Sequence, residues 1–279
     1  MHILRTPQEL SQSVDACRAK DQSVAMVPTM GALHRGHASL FEIAHQHADV
    51  VVATIFVNPL QFNNSTDFDK YPLQMDSDVQ LLEEQGVHYL YAPTVDIMYG
   101  SGFSTSVHIE GITDLLEGAS RPGHFSGVAT VVTKLFSAGR PDIAVFGQKD
   151  FQQVAVIRRL VADLDMPIRL IMAPTIRERD GLAMSSRNVR LSRSARQEAV
   201  AISQGLLAAQ DQFALGSRES KRLVESVVSV LAPTSAEIDY VKVIDSASLQ
   251  ELSSASPGCV IVIAVILDGV RLIDNHILV

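Results

Sequence analysis

The ten residues PTMGALHRGH, positions 28–37, follow the apolar run VAMV and place two histidines three apart around a glycine. An apolar run, a glycine-bearing loop and then a helical pattern predict a strand, a turn and a helix opening near Gly36. His34 and His37 then stand one turn apart and can face the same way. The unpaired N–H groups of the first helical turn point there too, and the helix dipole favours an anion. Gly31 and Gly36 allow a ligand close to the backbone. Residues of this kind suit a phosphate chain, with two imidazoles donating to the added charge of five-coordinate phosphorus. The competing readings are a metal site and a pair of structural histidines. No Cys, Asp or Glu stands at the right local spacing for a third metal ligand. Nor is this a Walker A loop, which needs a glycine-rich run ending Gly-Lys-Ser/Thr. His45 and His47 read as surface residues of the following helix.

Other segments add chemistry. FVNPLQF, 56–62, puts Asn58 and Gln61 just after a buried strand, where amides can meet a small polar substrate. The NNSTD that follows reads as a long loop or a lid. GQKDFQQ, 147–153, supplies Gly147 for close approach, Lys149 as a cation for phosphate, Asp150 for a ribose hydroxyl, and Gln153 one turn into a helix. An ordinary pair of charges at a helix start is the alternative for Lys149 and Asp150. MSSRN, 184–188, offers Ser185, Ser186 and Arg187 as a clamp on a phosphate, with Arg187 neutralising charge during transfer; a solvated linker is the alternative. SRPGHFSGV, 120–128, could shape a pocket or an interface around Arg121 and His124, and chemistry does not choose between them. Asp76 and Asp78 open a helix, where carboxylates favour the dipole, or one of them helps hold a Mg²⁺ that travels with a triphosphate.

The elements that must position these groups are legible as periodicities. To about residue 175, some five short apolar runs (24–27, 50–57, 87–91, 142–146 and 168–173) alternate with helical patterns at 38–48, 76–85, 127–138 and 150–164. Such alternation predicts an α/β fold, a Rossmann-like parallel sheet covered on both faces. Ligands of such sheets sit beyond the C-terminal strand ends, where these polar segments fall. After Pro174 a polar stretch suits a hinge. Helical patterns at 194–213 and 218–231 follow, then β-rich sequence with a hairpin signal at Asp268-Gly269. The expected domains are 1–175, binding nucleotide and a small polar substrate, and 176–279, a smaller α+β lid.

Composition narrows the classes. The chain has 279 residues, 47% of them hydrophobic, and a net charge of −8. That supports a sizeable core and argues against nucleic acid as the main partner. Two cysteines far apart, Cys17 and Cys259, make no disulfide framework and point to a reducing cytoplasmic location. The start lacks a basic segment followed by an apolar one, so no signal peptide is expected. The longest apolar run, CVIVIAVIL, is far short of the roughly twenty residues that span a bilayer. Residue chemistry alone thus reaches an enzyme that binds a nucleoside triphosphate and works at its α-phosphate. It leaves open a nucleotide sensor without turnover, and a nucleotidylyltransferase of the same fold is the runner-up reading.

PTMGALHRGH, FVNPLQF, RPGHF, FGQKDFQQ and LAMSSRN occur in this order. Together they resemble the pantothenate synthetase (pantoate–β-alanine ligase) family across the first domain and into the second. The resemblance implies a first domain built like the class I aminoacyl-tRNA synthetase core, Mg²⁺ entering with ATP, and a cytoplasmic homodimer. It implies two steps: pantoate attacks the α-phosphorus of ATP, and β-alanine then attacks pantoyl adenylate to give pantothenate and AMP. Carried over by position, His34 and His37 contact the ATP phosphates, and Met30 and Gly31 line the site. Gln61 and Gln153 hold pantoate, with Asn58 and Met30 beside them. Gly147, Lys149, Asp150, Ile176, Met184, Ser185, Ser186 and Arg187 form the nucleotide site, and Asp78 is the expected Mg²⁺-linked carboxylate. One departure is Tyr71-Pro72-Leu73, where the family often has Tyr-Pro-Arg, which removes any ion pair from that arginine.

Overall fold

The structure, a computed structural model, describes residues 1–62, 68 and 71–279; the expected NNSTD lid lies outside the described residues. Its contacts separate into two compact units, Met1–Gly147 with Gln153–Ala173, and Gln148–Gln152 with Pro174–Val279.

Among the described residues of the first unit, six strands form a parallel sheet: β1 (His2–Leu4), β2 (Val24–Thr29), β3 (Val50–Ile55), β4 (Tyr89–Tyr91), β5 (Ile143–Gly147) and β6 (Arg169–Ala173). Their spatial order is β1-β4-β3-β2-β5-β6. The helices are α1 (Pro7–Arg18), α2 (Arg35–His47), α3 (Met75–Glu84), α4 (His124–Gly139) and α5 (Phe151–Asp163), with shorter turns between them. Consecutive residues of β2 and β3 feed two different clusters: Val24, Met26, Val50 and Val52 join one, and Ala25, Val27, Val51 and Ala53 the other. Nearly unbroken apolar strands result, because both faces are buried. The strand order reverses between β2 and β5, so a ligand crevice is expected beyond Thr29 and Gly147. Five strands are expected from the sequence and six are found. β1 is only three residues long and gives no run to detect.

In the second unit α6 (Arg193–Glu198), α7 (Val200–Ala214) and α8 (Ser220–Leu231) share a core with the antiparallel sheet of β7 (Glu237–Ile244), β8 (Val260–Leu267) and β9 (Val270–Ile277). The expected Asp268-Gly269 turn joins β8 to β9 with φ of +55° and +70°, the left-handed pair that a type I′ hairpin needs. The single helix expected at 194–213 is two, meeting at Ala199, where no glycine or proline marks a break. The polar stretch after Pro174 is not an unstructured linker. Arg177 and Ala183 pair across a tight hairpin, Glu178 N–H donates to Leu182 O at 2.8 Å, and Gly181 turns it with φ +98°.

Candidate active site

His34 is the N-cap of α2, in extended conformation. Its Nδ1 accepts the Gly36 N–H at 3.1 Å, and the His34 N–H donates to His37 Nδ1 at 3.2 Å. The two imidazoles thus replace the Ser/Thr and Glu of a capping box. Their ring centroids lie 4.1 Å apart. Because both Nδ1 atoms act as acceptors, the proton of each neutral ring sits on Nε2. A helix entrance normally caps itself with oxygen acceptors. Here the same duty is done by groups that carry an N–H donor on their far side.

The loop before this helix is anchored from α3. Gly31 has φ +82° and Ala32 φ +51°, both left-handed. Asp78 Oδ2 accepts the Ala32 N–H at 2.9 Å and Oδ1 the Leu33 N–H at 2.7 Å. Asp78 is 2% exposed. A Cβ on Gly31 would meet Asp78 Oδ2 at 2.9 Å, so glycine is needed there for space as well as for φ. Both carboxylate oxygens are thus engaged by the backbone that leads to His34. Beside the expected link to Mg²⁺, Asp78 thus has a structural role in the loop and almost no exposed surface. Among the described residues no group of three or more His, Cys, Asp or Glu is arranged to hold a metal.

A second network fixes Gln61. Asn58, 1% exposed, caps the short 3₁₀ turn Pro59–Gln61. Its Oδ1 accepts the Leu60 N–H at 3.2 Å and the Tyr99 hydroxyl at 2.7 Å. Its Nδ2 donates to Gly127 O at 3.0 Å and to Gln61 Oε1 at 3.1 Å. Burial pushes the Tyr99 phenol well above its usual range, so it acts as a donor. With Oε1 of Gln61 taken, its Nε2 is the group turned toward Met30, where Sδ accepts from it. The Gln61 carbonyl is held by His124 Nδ1 at 2.8 Å and by Arg121 Nη2 at 3.2 Å. For Arg121 and His124 this favours the pocket-shaping reading of SRPGHFSGV. Gly127 is required by close packing: a Cβ there would stand 2.3 Å from Leu60 O. Gln153 lies half-buried in the first turn of α5, and at Gly147 a Cβ would meet nothing within 4 Å, which leaves room for a ligand against the backbone. Leu73 is 79% exposed. His45 and His47 are exposed on α2, as expected.

In the second unit, Lys149 and Asp150 lie on a 3₁₀ turn, with Lys149 Nζ 3.7 Å from Asp150 Oδ1. Ile176 O accepts the Met184 N–H at 2.9 Å, which closes the hairpin that delivers Ser185. Ser185 caps the 3₁₀ turn Ser186–Arg190, its Oγ accepting the Arg187 N–H at 3.2 Å. Asn188 Nδ2 donates back to Ala183 O at 3.0 Å. MSSRN is therefore an ordered, serine-capped turn. Three contributors escape sequence reading: Tyr99, Asp274 and Asn275. Tyr99 carries no signal. Asp274 and Asn275 stand in the strand VRLIDNHI beside Arg271 and His276, so no break in an apolar run singles them out.

A parallel sheet with a switch point, and an imidazole pair capping the helix that follows its central strand, define an α/β enzyme that works on phosphate-bearing ligands beyond the strand ends. Comparison with known proteins narrows this. The family model described as pantoate–β-alanine ligase matches residues 2–277. A pantothenate synthetase of Chlorobium phaeovibrioides is 45% identical over 278 residues, covering 99% of this chain and 95% of the relative. Among solved structures, pantothenate synthetase from Thermus thermophilus superposes with a TM-score of 0.95 at 41% identity, covering 100% of this chain and 99% of that one. The pantoate–β-alanine ligase of Francisella tularensis, solved with β,γ-ATP and β-alanine, gives 0.82 at 36% identity, covering 99% and 97%. The chain belongs to the pantoate–β-alanine ligase family.

Proposed function

We propose that this chain condenses pantoate with β-alanine at the expense of ATP, giving pantothenate, AMP and pyrophosphate through pantoyl adenylate. The observation that carries the reading is the paired-histidine cap, both Nδ1 atoms turned to the backbone of a helix entrance beyond the central strand. The ligands of the Francisella relative, a nucleotide and β-alanine, are those the reaction requires.

A carboxylate is a poor acyl donor, and adenylation gives it a leaving group. In step one a pantoate carboxylate oxygen bonds to the α-phosphorus and the bond to the bridging oxygen of pyrophosphate breaks. Charge grows on the phosphoryl oxygens, where His34, His37, Lys149 and Arg187 supply donors and positive charge. Ser185 and Ser186 donate to phosphate, Asp150 accepts from ribose, and Gly147, Ile176 and Met184 lie along the nucleoside. Mg²⁺ enters bound to ATP as part of the substrate. Gln61, Gln153 and Asn58, with Met30 and Gly31 beside them, orient pantoate so that its carboxylate is in line. In step two the free amine of β-alanine attacks the acyl carbon, the bond to AMP breaks, and nitrogen gives up a proton. Water must be kept from the adenylate for the amine to win.

A cytoplasmic homodimer is the proposed working form. Two buried free thiols are consistent with the compartment. Among the described residues no helix is long and apolar enough to cross a membrane. Exchange of labelled pyrophosphate into ATP tests the reading. Exchange that depends on pantoate and not on β-alanine is expected, and exchange without pantoate would contradict the adenylate.

A further inference from the structure

We infer that Asp274 and Asn275, neighbours on the last strand, are positioning residues for the phosphate-binding side chains of the second unit. The inference rests on the proposed roles of Lys149 and Arg187. Both strand residues are almost fully buried, at 3% and 2% exposure. Buried polar groups are costly unless every partner is present, and an apolar pair would serve a purely structural strand better.

The partners are present and specific. Asn275 Nδ2 donates to Gln148 O at 2.9 Å and to Lys149 O at 3.0 Å. Its Oδ1 accepts from Gln148 Nε2 at 3.2 Å. Two carbonyls can be met only by the amide NH₂, so the orientation of the side chain is fixed by its surroundings. The lysine side chain is a long flexible stem, and what can be fixed is its root. Asn275 fixes that root by holding the main chain of Lys149 itself.

Asp274 does the same for the other segment. It receives both terminal nitrogens of Arg177, at 2.6 and 3.1 Å, in a forked ion pair. Arg177 also donates to Gly181 O at 3.1 Å, across its own hairpin. That hairpin runs on through Met184 into the turn carrying Ser185 and Arg187. The Asn275 N–H in turn donates to Asp274 Oδ1 at 2.8 Å. Two adjacent strand residues thus set the position of both cation-bearing segments, and β9 is a ruler between them.

A double-mutant cycle on the full chain tests this, using Asn275→Ala, Lys149→Ala and the pair, with single-turnover pantoyl adenylate formation and ATP binding as readouts. Asn275→Ala is expected to slow adenylate formation and weaken ATP binding, each by on the order of tenfold, with the KM for pantoate unchanged. In the Lys149→Ala background it should add little, because the group it positions is gone. Asn275→Ser, which keeps one donor, should recover part of the loss, and it serves the test if the alanine variant does not fold. Equal losses from Asn275→Ala in both backgrounds would overturn the inference while leaving the role of Lys149 intact. So would wild-type behaviour of Asn275→Ala beside an impaired Lys149→Ala. A Lys149→Ala variant with unaltered ATP binding and rate would overturn the phosphate role and the inference together.

Discussion

The backbone N–H of His34 donates to Nδ1 of His37, and the two rings lie 4.1 Å apart, so the helix cap and the paired donors are one structure. Capping and catalysis can still be separated by substitution. Asparagine at position 37 offers an oxygen where Nδ1 stood and keeps the cap, but it presents no donor at the Nε2 position. His37→Asn is expected to melt close to the parent chain while adenylate formation in single turnover falls by about 10²–10³-fold. A rate within a few-fold of the parent would remove His37 from the chemistry.

Asp78 is expected to act through the loop and not through a metal. In Asp78→Asn one of the two oxygens becomes an NH₂ facing a backbone N–H, and the loop at Ala32 and Leu33 loses an acceptor. Stability should fall by about 1–3 kcal/mol, as when a buried donor is left unpaired. The turnover number should fall too, with the Mg²⁺ concentration for half-maximal rate unchanged. A clear shift in that Mg²⁺ dependence would make Asp78 a metal ligand instead.

Tyr99 is expected to tune pantoate recognition from behind Asn58. Tyr99→Phe removes one of the two donors to Asn58 Oδ1 and loosens the amide that turns Gln61 Nε2 outward. The loss of one hydrogen bond of about 1 kcal/mol predicts a roughly fivefold rise in the KM for pantoate. The KM for ATP should stay put. Equal rises in both constants would show general loosening instead.

His276 gives the stability a pH dependence. Burial holds it below the ordinary histidine value near 6.5, Arg177 adds to this, and Asp274 opposes it. The unfolded chain therefore binds more protons below that value, so stability is fully present above about pH 6.5 and is lost as the pH falls further. His88 acts in the same sense, through burial, His45 and the N-terminus. The melting temperature should drop from about pH 7.5 to about pH 5.5, and His276→Gln should flatten part of that slope. An unchanged slope would mean that other groups carry it.

Much of the molecule could be read from residue order, for physical reasons. Strands buried on both faces leave long apolar runs, and β2, β3 and β5 show them. The three-residue β1 had no length to show a period. The imidazole pair was visible because two histidines around a glycine have few structural uses at a strand end. Its capping geometry was not, because histidine is not an expected N-cap. Asp78 reads in the sequence as a helix-opening carboxylate or a Mg²⁺ partner, while its loop partners lie 45 and 46 residues away. Asn275 reaches Gln148 and Lys149 across 127 and 126 residues, a contact that only the folded sheet creates.

AMP release from ATP, Mg²⁺ and pantoate, measured with and without β-alanine, decides whether the chain is an amide-forming ligase. AMP and pantothenate are expected to appear together, in equal amounts, only when the amine is present. Pyrophosphate release with no amine-dependent AMP would contradict this and indicate nucleotidyl transfer, and ATP binding without turnover would reduce the chain to a nucleotide sensor.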